Sequence, residues 1–433
     1  MNCKEQTSAY LVESIPEGME FLSGTVSAST FDTWLKLLSM TEKSLLIASF
    51  YWSLDDGSPN VMAIQGRTIL ETILKLPSKG VDVKIAVNKP KTSQVSPDLV
   101  KLMNQGCGVK FVDVTKLTGG ILHTKFWIVD GRHIYIGSAN QDWRSLTEVK
   151  EIGIVLFNNS CLAKDLTKIF YTYWFLTDFI PSSWSSCYET KINMITPLNT
   201  YINGVLTSIF IASSPMEFSP LSRTNDIDSL THCIQTANKF VHVSVMNYEP
   251  VLYTDNGQIY WPNINDEIIK YAIEKKLEIK LLISCWERSS FSMRSFLLSL
   301  NSLRDNKKNI QVKLFIVPNI DPPIPYTRVN HTKYMVTDNT AYIGTSNWTG
   351  NYFTETCGVS VNIVPSDNIN IRKQLEDVFQ RDWNSKYSFY LTDTVDDCRC
   401  RLLKHPAGEC KFIKSKINIS IDDRGLPEYE YID

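Results

Sequence analysis

The stretch HTKFWIVDGRHIYIGSAN, from His123 to Asn140, returns downstream as HTKYMVTDNTAYIGTSN, from His331 to Asn347. A sentence this long, written twice in one chain, constrains the fold more than any composition does. Around each copy the pattern also repeats. Upstream of the first lie SLLIASFYWSL from Ser44, VDVKIAVNK from Val81 and GVKFVDV from Gly108. Upstream of the second lie KFVHVSVMNYEP from Lys239, LEIKLLISCW from Leu277 and IQVKLFIVP from Ile310. These are short β-branched or alternating runs, as strands require. Between the first two of each set, Arg67–Leu76 and Asn265–Lys275 space their apolar residues at three and four, as helices do. After each motif comes a further strand-like run, GIVLF at Gly153 and GVSVNIV at Gly358, then an aromatic helix, DLTKIFYTYW and KQLEDVFQRDW.

The order strand–helix–strand–helix–strand–motif–strand–helix therefore occurs twice. Strands alternating with helices predict an α/β fold with a largely parallel or mixed sheet. The simplest account is an internal duplication giving two similar α-β-α domains, packed as a pseudo-dimer. Expected bounds are 1–185 and 186–395, with 396–433 an acidic, solvated extension. The segment PSSWSSCYETKINMITPLNTYINGV carries no clear period and reads as the join.

Stripped to reactive groups, the copies are His123, Lys125, Asp130, Ser138 and Asn140, and His331, Lys333, Asp338, Thr345 and Asn347. On a strand, His and Lys two apart project to one face. A cation beside an imidazole is a poor metal site and a good anion site. Lysine, the Asn amides and the hydroxyls of Ser138 and Thr345 would hold phosphate oxygens. One such set only binds an anion. Two facing sets put two imidazoles across one phosphorus, one to attack and one to protonate the leaving oxygen and later activate water. Each imidazole needs a carboxylate on its other nitrogen, and Glu151 and Glu355 are the candidates.

HxK(x)4D(x)6GSxN resembles the signature of the phospholipase D superfamily. The first copy fits fully; the second has one residue fewer between Asp338 and Gly344 and reads GTSN. From about Thr30 to Trp383 the chain is similar to two branches of that superfamily, the mammalian lysosomal 5′ exonucleases and the poxvirus virion nicking-joining enzymes. GSANQDWRSLTEVKEIG, VSVMNYEP, LLISCW and VNHTKYMVTDNTAYIGTSNWTGNYFTET carry that likeness. The resemblance implies one active site shared by both halves, with His123, Lys125, Asp130, His331, Lys333 and Asp338 as the catalytic set. Family precedent makes His123 the nucleophile; the residues alone leave that open. Asp130 and Asp338 are expected to bond backbone rather than substrate. It also implies metal- and cofactor-independent cleavage of DNA, single-stranded, hairpin or cruciform, through a phosphohistidine. The alternatives are a lipid phosphodiesterase of the phospholipase D type, a 5′ exonuclease on single strands, and a non-catalytic scaffold.

Composition sets the remaining limits. The net charge of −2 leaves no global basic field, so any polyanion must be held locally. The N-terminal residues do not read as a secretory signal, and no run approaches the roughly 18 apolar residues of a membrane span. No membrane anchor like that of the lysosomal branch is expected, and the protein is read as intracellular, of host cytoplasm and virion, not secreted, with free thiols. Cys398, Cys400 and Cys410 lack a fourth ligand at zinc spacing, so no metal site is assigned. Trp52, Trp143, Tyr248 and Trp348 are read as core before base-stacking platforms, and Arg144 and Arg328 as phosphate contacts or salt bridges equally. A monomer suffices, because one chain completes one site.

Overall fold

A computed structural model describes residues 5–21, 27–91, 94–176, 179–303, 309–366 and 370–391, and the backbone of 416–421 and 427–432. Its frame is two mixed sheets of matching design. The first contains β1 (Ser8–Ser14), β2 (Ser44–Ser49), β3 (Asp82–Asn88), β4 (Gly108–Val112), β5 (Phe126–Val129), β6 (His133–Gly137) and β7 (Glu151–Phe157). The second contains β8 (Val205–Ser214), β9 (Phe240–Val245), β10 (Glu278–Ser284), β11 (Ile310–Phe315), β12 (Lys333–Thr337), β13 (Ala341–Gly344) and β14 (Gly358–Pro365). The spatial orders are β1-β7-β6-β5-β2-β3-β4 and β8-β14-β13-β12-β9-β10-β11. In both, the last three strands run parallel and the rest antiparallel. Short edge strands, Ala28–Ser29, Leu198–Ile202 and Ser388–Tyr390, are added at the rims.

The helices match as well. They are α1 (Thr30–Ser39), α2 (Ile64–Leu74), α3 (Pro97–Asn104), α4 (Ser160–Phe175), α5 (Asp226–Thr236), α6 (Asn263–Glu274), α7 (Phe291–Ser302) and α8 (Ile371–Trp383). Alternation along each strand sorts its side chains between two cores. Leu45 and Ile47 of β2 face outward with Trp127 and Val129 of β5, and pack under α1, α2 and α3. Leu46, Ala48, Phe126 and Ile128 face inward. There they meet α4, α8 and the inner face of the second sheet, Tyr334, Val336, Val359 and Val361, in one continuous core. The two halves thus share an interior rather than touching at a rim. The outer face of the second sheet packs under α5, α6 and α7.

Each half begins with a strand and helix that precede the expected order, β1–α1 and β8–α5. Part of the segment read as an aperiodic join is also ordered: Leu198–Ile202 pairs antiparallel with Val205–Ser214. In the tail, Lys416–Ile421 pairs antiparallel with Pro427–Ile432. The expectation of free thiols holds for Cys107, Cys187, Cys233 and Cys357. It fails for Cys161 and Cys285, which are disulfide-bonded; cysteines scattered without a spacing pattern gave no sign of it. Cys398, Cys400 and Cys410 lie outside the described residues. No helix among the described residues is long and apolar enough to cross a membrane.

The residue missing from the second motif is absorbed by a turn. Asp130, Gly131 and Arg132 join β5 to β6, with Asp130 and Gly131 at positive φ. In the second half, Thr337 N–H bonds the Thr340 carbonyl across Asp338 and Asn339 alone, at 2.9 Å.

A buried ion cluster spans the halves. Arg381 of α8 pairs with Glu13 of β1 at 2.6 Å and with its neighbour Asp382 at 2.8 Å. Asp382 in turn pairs with Lys150, just before β7, at 2.7 Å. All four side chains are sealed from water. Removing one member of a buried pair strands the other, a loss of about 3–5 kcal/mol. Asp382→Ala is therefore expected to lower unfolding stability by about that amount, read by denaturant titration, whereas Asp377→Ala, an exposed pair on the same helix, should cost under about 1 kcal/mol.

Candidate active site

The segment before each motif strand crosses to the other half. His123 donates its backbone N–H to the Cys357 carbonyl at 3.0 Å, and Cys357 donates back to Ile121 at 2.9 Å. Symmetrically, His331 N–H bonds the Lys150 carbonyl at 2.8 Å, and Lys150 N–H bonds Val329 at 3.0 Å. These are isolated parallel bridges, Leu122 with Cys357 and Lys150 with Asn330. Two imidazoles from distant parts of the chain are thereby carried to one interface.

Their partners differ. His331 Nδ1 meets both carboxylate oxygens of Glu151, at 3.0 and 2.8 Å. His123 Nδ1 meets the backbone carbonyl of Thr345 at 3.0 Å. Strand register explains why. Gly153 pairs with Gly137 in the first sheet, and Ser360 with Gly344 in the second. Glu151, two residues before Gly153, is therefore matched by Gly358, which has no side chain to offer. A Cβ there would lie 2.2 Å from Ser346 Oγ and 3.0 Å from Ser214 Oγ. Glu355, expected to serve His123, instead accepts a hydrogen bond from Asn351 Nδ2 at 2.9 Å. It sits three residues before the position that would reach the imidazole. With Nδ1 occupied by an acceptor, each imidazole leaves Nε2 for chemistry.

The electrostatics follow from burial. Burial, then Lys125, Lys333 and His331, hold His123 well below the ordinary imidazole range. Burial, then Lys333 and Lys125, do the same to His331. Burial pushes the Glu151 carboxyl up to about 7, against Lys333, Ser138, Ser145 and Lys125. Both members of the His331–Glu151 pair thus resist charge separately, yet they lie in hydrogen-bond contact. Burial brings Lys333 down to about 7, opposed by Glu151. Burial and Lys333 carry Lys125 well below its usual range. Each lysine donates to the carbonyl of its own motif histidine.

The other expected residues divide. Asn140 and Asn347 are buried, and each keeps a side-chain oxygen without a partner among the described residues. Ser138 and Thr345 do not offer free hydroxyls: each grips the backbone of the neighbouring strand, at Ile152 (2.9 and 3.1 Å) and Val359 (3.0 and 3.3 Å). Asp130 accepts from the amides of Glu42, Lys43 and Ser44, and Asp338 from those of Asn238 and Lys239. Both cap the starts of β2 and β9, away from the histidines. Trp52, Trp143, Tyr248 and Trp348 are core. Arg144 is paired with Asp56 and Asp142, and Arg328 with Glu148.

The motif reading missed Phe50 and Tyr352, whose rings lie 5.3 and 5.0 Å from that of His123. Neither belongs to the repeated sentence, and apolar patterning alone does not separate them from core. Among the described residues no group of three or more His, Cys, Asp or Glu is placed to hold a metal ion.

Residues 23–320 match the family described as PLD3/4, PLD-like domain. The chain belongs to this phospholipase D-like family. It is 54% identical over 403 residues to the virion nicking-joining enzyme of vaccinia virus (strain Western Reserve), covering 93% of each chain. It is 48% identical over 414 residues to the human 5′-3′ exonuclease PLD3, covering 93% of this chain and 84% of that one. Among solved structures, phosphatidylserine synthase of Haemophilus influenzae superposes with a TM-score of 0.57 at 11% identity, covering 88% of this chain and 89% of that one. That likeness speaks for the phospholipase D-like fold alone.

A tetrahedral dianion between the two ammonium groups would restore their protons. Binding then takes up a proton wherever Lys333 is neutral in the free protein, which begins as pH rises through about 7. Tungstate affinity, followed by calorimetry, is expected to fall about tenfold per pH unit above that point. Lys333→Met should weaken binding and flatten the dependence. An affinity for wild type that stays level across this range would contradict the arrangement.

Proposed function

We propose that this protein is a phosphodiesterase of nucleic acid, and of DNA in particular, working through a covalent phosphohistidine. The observation that carries the reading is the unequal pair of imidazoles at one interface, His331 backed by a carboxylate and His123 by a carbonyl. A nucleophile must be neutral, and His123, beside two lysines and no carboxylate, is kept so. A general acid must hold a proton, and Glu151 lets His331 do that. His123 Nε2 attacks phosphorus as the P–O bond to the leaving oxygen breaks, and His331 protonates that oxygen. His331 then takes a proton from water, which displaces His123 from phosphorus. Lys125, Lys333, Asn140 and Asn347 hold the non-bridging oxygens. A site rich in ammonium groups has little use for a metal cation, and imidazole needs none to become a nucleophile.

The intermediate keeps the energy of the broken ester. If a DNA hydroxyl replaces water in the second step, strands are rejoined. The names of the relatives, a nicking-joining enzyme and a 5′-3′ exonuclease, support nucleic acid over lipid. We further propose virion association, as the vaccinia relative's name says of that protein.

Labelled single-stranded and hairpin DNA in EDTA should be cleaved. His123→Ala should lose about 10³-fold or more in rate. On end-labelled DNA whose scissile ester leaves as p-nitrophenolate, and so needs no acid, His331→Ala should leave a labelled protein–DNA adduct after an alkaline detergent quench that spares the P–N bond, since the second step lacks its base. Cleavage that chelation abolishes, or no adduct with either end label, would defeat the scheme.

Glu151→Gln tests the division of labour. Without the carboxylate, His331 gives up its proton more easily, so its pKa falls. The basic limb of the pH–rate profile should move to lower pH and the rate drop roughly 10- to 100-fold. A limb that stays in place would remove His331 from the acid role.

A further inference from the structure

The pseudo-two-fold site is broken at a second place besides Glu151 and Gly358. Five residues after Asn140 stands Ser145, and five after Asn347 stands Tyr352. The Ser145 hydroxyl accepts the Asn140 backbone N–H at 3.2 Å and also bonds the Glu151 carboxyl. It is spent within the protein. Tyr352 is placed otherwise. Its ring stands at 81° to the His123 imidazole, with centroids 5.0 Å apart. Its hydroxyl accepts from Asn347 Nδ2 at 3.2 Å. Its backbone carbonyl is fixed by Ser214 Oγ at 3.0 Å. The phenolic oxygen is thus held by Asn347 on a ring that packs edge to face with the His123 imidazole. Its own hydrogen has no acceptor among the described residues. Burial raises the phenol to about 12, so the hydrogen stays in place at working pH.

We propose that the Tyr352 hydroxyl donates a hydrogen bond to one non-bridging oxygen of the phosphoryl group held by His123. This rests on the phosphodiesterase reading and deepens it. Among the described residues no equivalent donor stands on the His331 side, where Ser145 serves Glu151. The two non-bridging oxygens are thus distinguished, and the phosphodiester enters the near-symmetric centre in one orientation. Asn347 supports the phenol, and Tyr352 marks the face on which the phosphoryl group is transferred. Tyr352 joins the catalytic residues by this contact.

The test is Tyr352→Phe, which deletes one oxygen and keeps the ring against His123. Rates are measured in single turnover on hairpin DNA carrying one phosphorothioate of defined configuration, and on thymidine 5′-p-nitrophenyl phosphate with the same substitution. The small ester reports the phosphoryl centre whatever polymer it serves. The expected result is a fall of roughly 10- to 100-fold in the chemical step, with DNA binding changed by less than about threefold. The wild-type preference between the two phosphorothioate isomers should shrink at the same time. A variant with wild-type rate and wild-type preference overturns the proposal. A slower variant whose isomer preference is unchanged also overturns it, since that is what a ring which merely braces His123 would give. Wild-type protein that cleaves the small ester and not DNA removes the polymer from the reading, while Tyr352 is still judged on the ester. Wild-type protein inert toward both removes the phosphodiesterase and this contact together.

Discussion

Two exchanged backbone bridges govern this molecule. His123 hangs from Cys357 and His331 from Lys150, so neither half positions its own imidazole. The hydrogen bonds themselves are ordinary, each worth about 1 kcal/mol net. Their weight comes from context. They sit at the seam of a continuous apolar core filled by α4 and α8, and the Lys150 bridge is anchored by a buried network of four charges. A shift of either half against the other would pull the two imidazoles out of register with each other. Interior and site are one problem in this fold.

Repetition supplies the site, and departures from repetition give it direction. Perfect two-fold symmetry would make the imidazoles interchangeable, and a substrate could be read either way round. Glu151 facing Gly358, and Ser145 facing Tyr352, remove that ambiguity. The first departure lies on sheet strands, and the second on short helical turns, Arg144–Thr147 and Asn351–Thr354. Gly358 has no room for a side chain, because Ser346 and Ser214 crowd it. The carboxylate is absent there for packing reasons as well as chemical ones.

Much of this was legible in the sequence, for reasons that can be stated. A motif holding His, Lys, Asp, a small hydroxyl and Asn at fixed spacing survives duplication as a readable string. The β-branched run at Ser44 falls on a strand buried on both faces, while those at Val81 and Gly108 fall on strands that are only partly covered toward the sheet's rim. The first strand and helix of each half were less visible, since AYLVES is short and its pairing partner, Glu151–Phe157, is far along the chain. The roles of Ser138 and Thr345 were misread because a hydroxyl's preference between phosphate and backbone depends on the adjoining strand. Glu355 was misplaced by three residues. Chain order brought it near the motif, whereas strand register gave that position to Gly358. Tyr352 and the disulfides at Cys161 and Cys285 required three dimensions.

The continuous chain between the two sheets has a consequence of its own. In an assembly of two identical subunits, every substitution is made twice, once on each side of the axis. Joining the subunits end to end frees each copy to drift alone. One could then keep a carboxylate while the other shed it, and one could exchange serine for tyrosine. A glycine at 358 matched by a glutamate at 151 is an asymmetry open to fused copies, since a pair of unlinked twins would carry the same residue on both flanks.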